Sequence, residues 1–125
     1  MNSKEMAILA ARSMDAKKGS KITVLKLEDL TVITDYFVVG TGNSRAQTQA
    51  LADAVRDALE DAGFAISRVE GFQEGRWILL DFGAVIIHIF QEDERSFYNL
   101  ERLWADAPQL PHDEVFPQGS ADQDK

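Results

Sequence analysis

A glycine-rich turn is the first group of residues whose types and spacing could do chemistry. Gly40-x-Gly42-x-Ser44 follows a predicted strand and precedes a predicted helix, a setting in which backbone N–H groups can bind a phosphate. The turn has neither a Walker lysine nor a third glycine at dinucleotide spacing. The next strand also lacks the Asp-x-Asp with which a nucleotidyltransferase would hold magnesium ions. We expect Ser44 to cap a helix, and a nucleotide-binding or nucleotidyltransferase-like enzyme is the alternative.

His88 and Asp81 are the second candidate group. Alternation along a predicted hairpin makes them diagonal neighbours on one sheet face, which would suit a general-base dyad. Diagonal neighbours are about 7–8 Å apart at the backbone, and the pattern places no serine or threonine beside them as a nucleophile. We expect His88 to be a hydrogen-bonded histidine on a half-buried face. One histidine with scattered carboxylates and no cysteine does not make a transition-metal site, so we predict no metal and no cofactor.

Aromatic side chains near charged ones form the third group. Tryptophan, tyrosine and arginine are the side chains that most often anchor protein interfaces. The pattern leaves two interpretations equally open, a hydrophobic core and a protein-binding surface. The aromatic members are Tyr36, Trp77, Phe90, Tyr98 and Trp104, and the charged ones are Asp81, Arg95 and Glu101.

Three helices and five strands must position these residues. Hydrophobic periodicity and capping signals predict helices over residues 3–18, 45–62 and 93–107. Runs of β-branched and aromatic residues predict strands over residues 21–27, 35–41, 65–70, 77–80 and 85–90. The order αββαβββα indicates an α+β fold, with a mixed five-stranded sheet covered by helices.

The last two strands form the clearest pattern in the sequence. Gly83-Ala84 reads as a two-residue hairpin turn with glycine in the first position. That turn fixes the register of the two strands. The predicted pairs are Phe82 with Val85, Asp81 with Ile86, Leu79 with His88, and Trp77 with Phe90.

The domain is expected to end near residue 107. All three prolines lie in the last eighteen residues, at Pro108, Pro111 and Pro117. Ten of the eleven aromatic residues lie between Tyr36 and Trp104. We therefore predict one folded domain over residues 1–107 and a disordered polar tail over residues 108–125.

Acidic charge is concentrated in the main body of the chain. The 125 residues include 21 acidic and 13 basic side chains, which give a formal charge of −8. Residues 1–27 carry +4 and residues 28–125 carry −12. Such a body attracts basic partners and repels polyanions, so we do not expect nucleic acid to be the main contact. Without an apolar run of about 18 residues or a secretory signal, we expect no membrane span and a cytoplasmic location.

Several motifs together resemble the Iojap-like ribosomal silencing factor family. The resemblance covers about residues 6–107, in order and with suitable spacing. One small departure is Ala84, where the family often carries an acidic residue. The matching segments are TDYFVVGTGNS (34–44), EG (70–71), GRWILLDFG (75–83), HIF (88–90) and RSFYNLERLW (95–104).

The resemblance implies a non-enzymatic cytoplasmic factor that binds ribosomal protein fourteen of the large subunit. A bound factor would block joining of the small and large subunits and repress translation when nutrients are short. The family's fold is similar to a nucleotidyltransferase core without its catalytic carboxylates, and a homodimer is plausible. An acidic scaffold for another protein target is a third possibility. The partner-binding candidates are Trp77, Asp81, His88, Phe90, Arg95, Tyr98, Leu100, Glu101 and Trp104.

Overall fold

A mixed five-stranded sheet forms the centre of the protein in the computed structural model, which describes residues 1–98, 102 and 104–117. The strand order is β1-β2-β5-β4-β3, so the predicted α+β class is confirmed. The elements are α1 (Ser3–Ala16), β1 (Ser20–Lys26), β2 (Tyr36–Gly42), α2 (Arg45–Asp61), β3 (Arg68–Glu70), β4 (Trp77–Asp81), β5 (Val85–Gln91), α3 (Glu92–Tyr98) and α4 (His112–Val115).

The β2–β5 pair is parallel, and the other three strand pairs are antiparallel. In the β4–β5 hairpin, Trp77 pairs with Phe90 and Leu79 with His88, which confirms the predicted register. The N–H of Phe82 donates to the carbonyl of Val85 at 3.0 Å and closes the turn. Gly83 has φ +84°, a left-handed conformation that favours glycine. The sequence therefore specified this hairpin locally.

Helices α1 and α2 cover one face of the sheet. Asn2 and Glu5 form a reciprocal capping box at the start of α1, as predicted. The two helices bury their apolar stripes against alternate residues of the strands. Burial of this apolar surface is the main contribution to folding stability. The strand residues of this core are Val24, Tyr36, Val38, Ile78, Leu80, Val85, Ile87 and Ile89.

The other face of the sheet holds two smaller apolar clusters. Val39 and Phe90 are fully buried there, with Trp77 packed against them. Leu25 and Leu27 form the second cluster, together with parts of the chain that follow α3. Both faces of the central strands are thus apolar, as the run of residues in β2 predicted.

The interpretation of residues 108–125 as a disordered tail is wrong for residues 108–117, which we call the C-terminal strap. The strap lies along the edge of β1, where Lys26 N–H donates to the Pro108 carbonyl and Leu110 N–H donates to the Val24 carbonyl. Val115 is buried in the main core, and its carbonyl accepts from Arg12 Nε at 2.7 Å. Residues 118–125 of the predicted tail lie outside the described residues.

Edge pairing explains why the strap is ordered despite its polar composition. An edge strand has unpaired N–H and C=O groups, and the strap satisfies some of those of β1.

The last predicted helix also differs from the expectation. Its described residues are helical over Glu92–Tyr98 and at Arg102, whereas residues 104–106 form a turn. None of the helices in the described part of the chain is long and apolar enough to cross a lipid bilayer.

We expect Val115→Ala to lower the free energy of unfolding by about 2 kcal/mol, because it removes buried methyl groups and leaves a cavity between the strap and α1. Urea denaturation followed by circular dichroism measures this loss. Asp113→Ala is the matched control, since that side chain is 74% exposed on the same short helix. If the strap contributed nothing to folding stability, the two variants would have the same midpoint of urea unfolding.

Candidate functional site

The glycine-rich turn is accounted for by helix capping and packing. Ser44 Oγ accepts the N–H of Gln47 at 3.1 Å, so the predicted N-cap is confirmed. The Gln47 side chain in turn accepts the N–H of Asn43 at 2.8 Å. A Cβ atom at Gly42 would lie 3.0 Å from Cγ2 of Thr48, so glycine permits close packing of the strand end on α2. The turn's residue types therefore follow from the fold.

His88 and Asp81 bond to different partners. The indole N–H of Trp77 donates to Nδ1 of His88 at 3.0 Å, and this confirms a hydrogen-bonded histidine. Asp81 Oδ1 accepts the N–H of Gly83 at 2.8 Å, where it holds the hairpin turn. Its other oxygen lies 3.8 Å from the guanidinium of Arg68. In the described part of the chain, His88 and Asp81 are not hydrogen-bonded to each other as a general-base dyad requires.

The His88 ring is neutral at physiological pH. Only 5% of the residue is exposed, and burial lowers its pKa from 6.5 to about 4. Because Nδ1 accepts a hydrogen bond, the neutral ring carries its proton on Nε2. In the described part of the chain Nε2 has no hydrogen-bond partner. His88 thus supplies an aromatic surface and an acceptor for Trp77, and no charge.

We define the aromatic face as the side of the sheet opposite α1 and α2. Neighbouring rings form a row across it, with centroids 5.0 Å apart for Phe90 and Trp77, 5.9 Å for Trp77 and His88, and 4.6 Å for His88 and Phe37. Trp104 extends the row, with its centroid 5.8 Å from that of Phe37. The perpendicular contacts at Phe37 are of the edge-to-face kind that aromatic pairs prefer.

The aromatic face combines apolar and acidic surface. Phe90 and His88 are buried, whereas Trp77, Leu79 and Asp81 are partly exposed. The Asp81 side chain is 22% exposed at the hairpin end of the face. An apolar centre with a charged rim is the usual composition of a protein-binding surface. Within the described residues, no group of three histidine, aspartate or glutamate side chains is arranged to hold a metal ion.

Five of the nine predicted site residues come together on this face: Trp77, Asp81, His88, Phe90 and Trp104. Arg95 lies at one end of it, where its guanidinium donates to Thr41 Oγ1 at 2.8 Å and to the backbone carbonyl of Lys21. These bonds attach α3 to the β1–β2 edge, a structural role that sequence reasoning did not anticipate.

Of the remaining three, Tyr98 is the last residue of α3, and Leu100 and Glu101 lie outside the described residues. Phe37 is a member of the face that the sequence did not single out. It joins His88 to Trp104 because β2 pairs in parallel with β5 and sets Phe37 opposite Ile86. Alternation in β2 was the available signal, but the partner strand was unknown.

Comparison with known proteins shows the family. A family model described as ribosomal silencing factor during starvation matches residues 1–125. The chain belongs to the ribosomal silencing factor family. The resemblance inferred from the sequence motifs is therefore confirmed. The ribosomal silencing factor of Bacillus subtilis is 44% identical over 108 residues, which are 86% of this chain and 92% of that protein.

Other proteins are similar to this silencing factor family member in sequence or in fold. The chloroplast protein Iojap of Arabidopsis thaliana is 36% identical over 102 residues, or 82% of this chain and 42% of that protein. A crystal structure of a Chromobacterium violaceum protein superimposes with a TM-score of 0.82 at 35% identity and covers 97% of each chain. The mixed sheet is thus a shared architecture.

We expect His88 to make this protein less stable as the pH falls from about 6.5 to about 4. In that window the unfolded chain binds a proton on the imidazole that the folded chain excludes, because the folded pKa is lowered. Between pH 7.5 and 4.5, the parent should lose about 2 kcal/mol more unfolding free energy than His88→Gln. Glutamine keeps an acceptor within reach of the Trp77 N–H.

Urea unfolding of both proteins at the two pH values measures this difference. His112→Gln is the control, because the side chain of this other histidine is 80% exposed. The control should follow the pH dependence of the parent. Equal pH dependence for His88→Gln and the parent would contradict a neutral buried imidazole.

Proposed function

We propose that this chain is a non-enzymatic ribosomal silencing factor that binds the large ribosomal subunit through ribosomal protein fourteen. In that position it blocks joining of the small subunit and represses translation when nutrients are limiting. The observation that carries the proposal is the aromatic face, with its partly exposed Trp77, Leu79 and Asp81 on a rigid sheet. Membership of the silencing factor family supports the choice of the ribosome as the target.

Docking alone is sufficient for this function. A domain of 13.9 kDa seated on the subunit interface excludes the opposite subunit by steric overlap, and no bond has to be made or broken. The geometry favours docking over catalysis, since Ser44, His88 and Asp81 are each held in structural hydrogen bonds. We propose no cofactor for the same reason. The sequence-based alternative of a nucleotidyltransferase-like enzyme receives no support from these contacts.

Charge determines which kind of ribosomal surface suits the domain. The net −12 of residues 28–125 repels the phosphates of ribosomal RNA and attracts a basic protein. Asp81, at the rim of the aromatic face, is placed to meet a lysine or arginine of the partner. We propose a cytoplasmic location for the protein together with this target. We also propose that the isolated protein forms a homodimer, as the family resemblance implies.

We expect the purified protein to prevent subunit joining. Large subunits are incubated with the protein, small subunits are added, and the mixture is sedimented through a sucrose gradient. The whole-ribosome peak should fall as the protein reaches equimolar amounts, because bound protein occupies the joining surface. If small subunits are incubated first and then separated from unbound protein, the peak should remain. Undiminished joining in the first order of addition would rule out the proposed function.

We expect Asp81→Asn to weaken binding to isolated ribosomal protein fourteen by about three- to tenfold, since it removes one rim charge. Asparagine keeps an oxygen that can accept the Gly83 N–H. Asp57→Asn makes the same charge change on the exposed side of α2, away from the aromatic face. It should change the affinity by less than about twofold.

Surface plasmon resonance at several salt concentrations measures both affinity and rate. The association rate of the parent should fall as salt is added, because electrostatic steering is screened. Loss of affinity that is equal for Asp81→Asn and Asp57→Asn would assign the effect to net charge and contradict the placement of the docking site on the aromatic face.

A further inference from the structure

The loop between β1 and β2, residues 27–35, carries an exposed aliphatic patch. Val32 is 103% exposed, Ile33 is 72% exposed and Leu30 is 46% exposed. Single exposed apolar residues are ordinary on protein surfaces, but here three fall within four positions of one loop. In the described part of the chain, these three side chains lie outside the hydrophobic core. Exposure of apolar side chains to water is unfavourable in free energy, and a partner that covered them would remove this cost.

Hydrogen bonds hold this loop in a defined conformation. Leu30 and Thr31 both donate their N–H groups to the carbonyl of Leu27, at 2.8 and 3.0 Å. The N–H of Ile33 donates to Thr31 Oγ1 at 3.2 Å. Leu27 and Thr34, near the two ends of the loop, are buried. The aliphatic side chains are therefore presented on an ordered turn, which lowers the entropy lost on binding.

The loop adjoins the aromatic face. The N–H groups of Asp35 and Tyr36 both donate to the Ala84 carbonyl, so the loop sits beside the β4–β5 turn. Leu30 shares a shallow hollow with Trp104. Trp104 packs on Phe37, the outer ring of the face. Apolar surface thus continues from the aromatic face through Trp104 to the loop.

Charge identifies the kind of partner that fits. Residues 28–35 contain Glu28, Asp29 and Asp35. The ammonium group of Lys26 lies 3.7 Å from Glu28 and 3.8 Å from Asp29, so residues 26–35 carry a net charge of −2. Asp106 adds a further carboxylate at the hollow beside Leu30. Two copies of the chain joined through this loop would bring like charges together, which is unfavourable. A basic protein surface with an apolar pocket would instead complement both the carboxylates and the aliphatic side chains.

We propose that the β1–β2 loop is a second docking element for the basic ribosomal protein, with Val32 and Ile33 as apolar anchors. This inference rests on the proposed function and extends its binding surface beyond the aromatic face. The anchors enter an apolar pocket of the partner, and the surrounding carboxylates meet its lysine and arginine side chains. The loop thereby adds affinity at a site that the family motifs did not single out.

The test compares two double variants of the full chain. Val32→Thr/Ile33→Thr keeps both positions β-branched and makes them polar, so the backbone preference of the loop is preserved. Val32→Ile/Ile33→Val keeps them aliphatic. Both positions are exposed, so both variants should unfold at the same temperature as the parent.

Binding to purified large ribosomal subunits is measured for the parent and both variants. We expect the Kd of the threonine variant to rise by at least about tenfold and that of the aliphatic variant to change by less than about threefold. A parent that binds but is matched by the threonine variant would overturn this inference alone. A parent that does not bind large subunits would overturn the proposed function and the inference with it.

Analytical ultracentrifugation of the same proteins tests whether the loop instead binds a second copy of this chain. A threonine variant that loses self-association while it binds subunits like the parent would make the loop an interface between copies of this chain. That result would refute the ribosomal assignment. Unchanged self-association together with weakened subunit binding supports it.

Discussion

The parallel pairing of β2 with β5 is the constraint on which the rest of the structure depends. It places both strands in the interior of the sheet, so each has to be covered on two faces. Helices α1 and α2 cover one face with a continuous apolar core. The opposite face is covered by aromatic side chains and by the short helix α3, which Arg95 attaches through Thr41.

The unequal cover of the two faces creates the candidate site. On the helical face the apolar residues of β2, β4 and β5 are buried, whereas on the aromatic face Trp77, Leu79 and Asp81 keep contact with solvent. His88 connects the buried and the partly exposed residues of the aromatic face. Its ring is buried deeply enough to stay neutral, yet it bonds to the partly exposed Trp77 and so fixes the orientation of that indole. A docking surface gains from such fixed side chains because little conformational entropy remains to be lost.

The chain ends of the sheet also shape the surface. The C-terminal strap occupies the edge of β1 and leaves less of that strand open to edge-to-edge association. At the end of the sheet where β2 and β5 begin, the β1–β2 loop and the β4–β5 turn are joined through the Ala84 carbonyl. At this end the three carboxylates of the loop outnumber the neighbouring lysine, Lys26, so the apolar side chains and the net negative charge favour the same class of partner.

Local features were predictable from the sequence because their physical causes are local. The Asn2–Glu5 capping box, the Ser44 N-cap and the Gly83 turn each depend on residues within a few positions of one another. The register of the hairpin followed from its turn, and it correctly placed Trp77, Asp81, His88 and Phe90 on one face. Family motifs supplied the identity that composition could not.

By itself the sequence determined the element types, the α+β class, the hairpin and the family. Only the tertiary structure decided that Phe37 bridges His88 and Trp104, that Arg95 bonds to its own sheet, and that residues 108–117 pack along β1. The physical reason is separation along the chain. These contacts join residues tens of positions apart, and no local periodicity encodes which free edge or uncovered face a distant segment will satisfy.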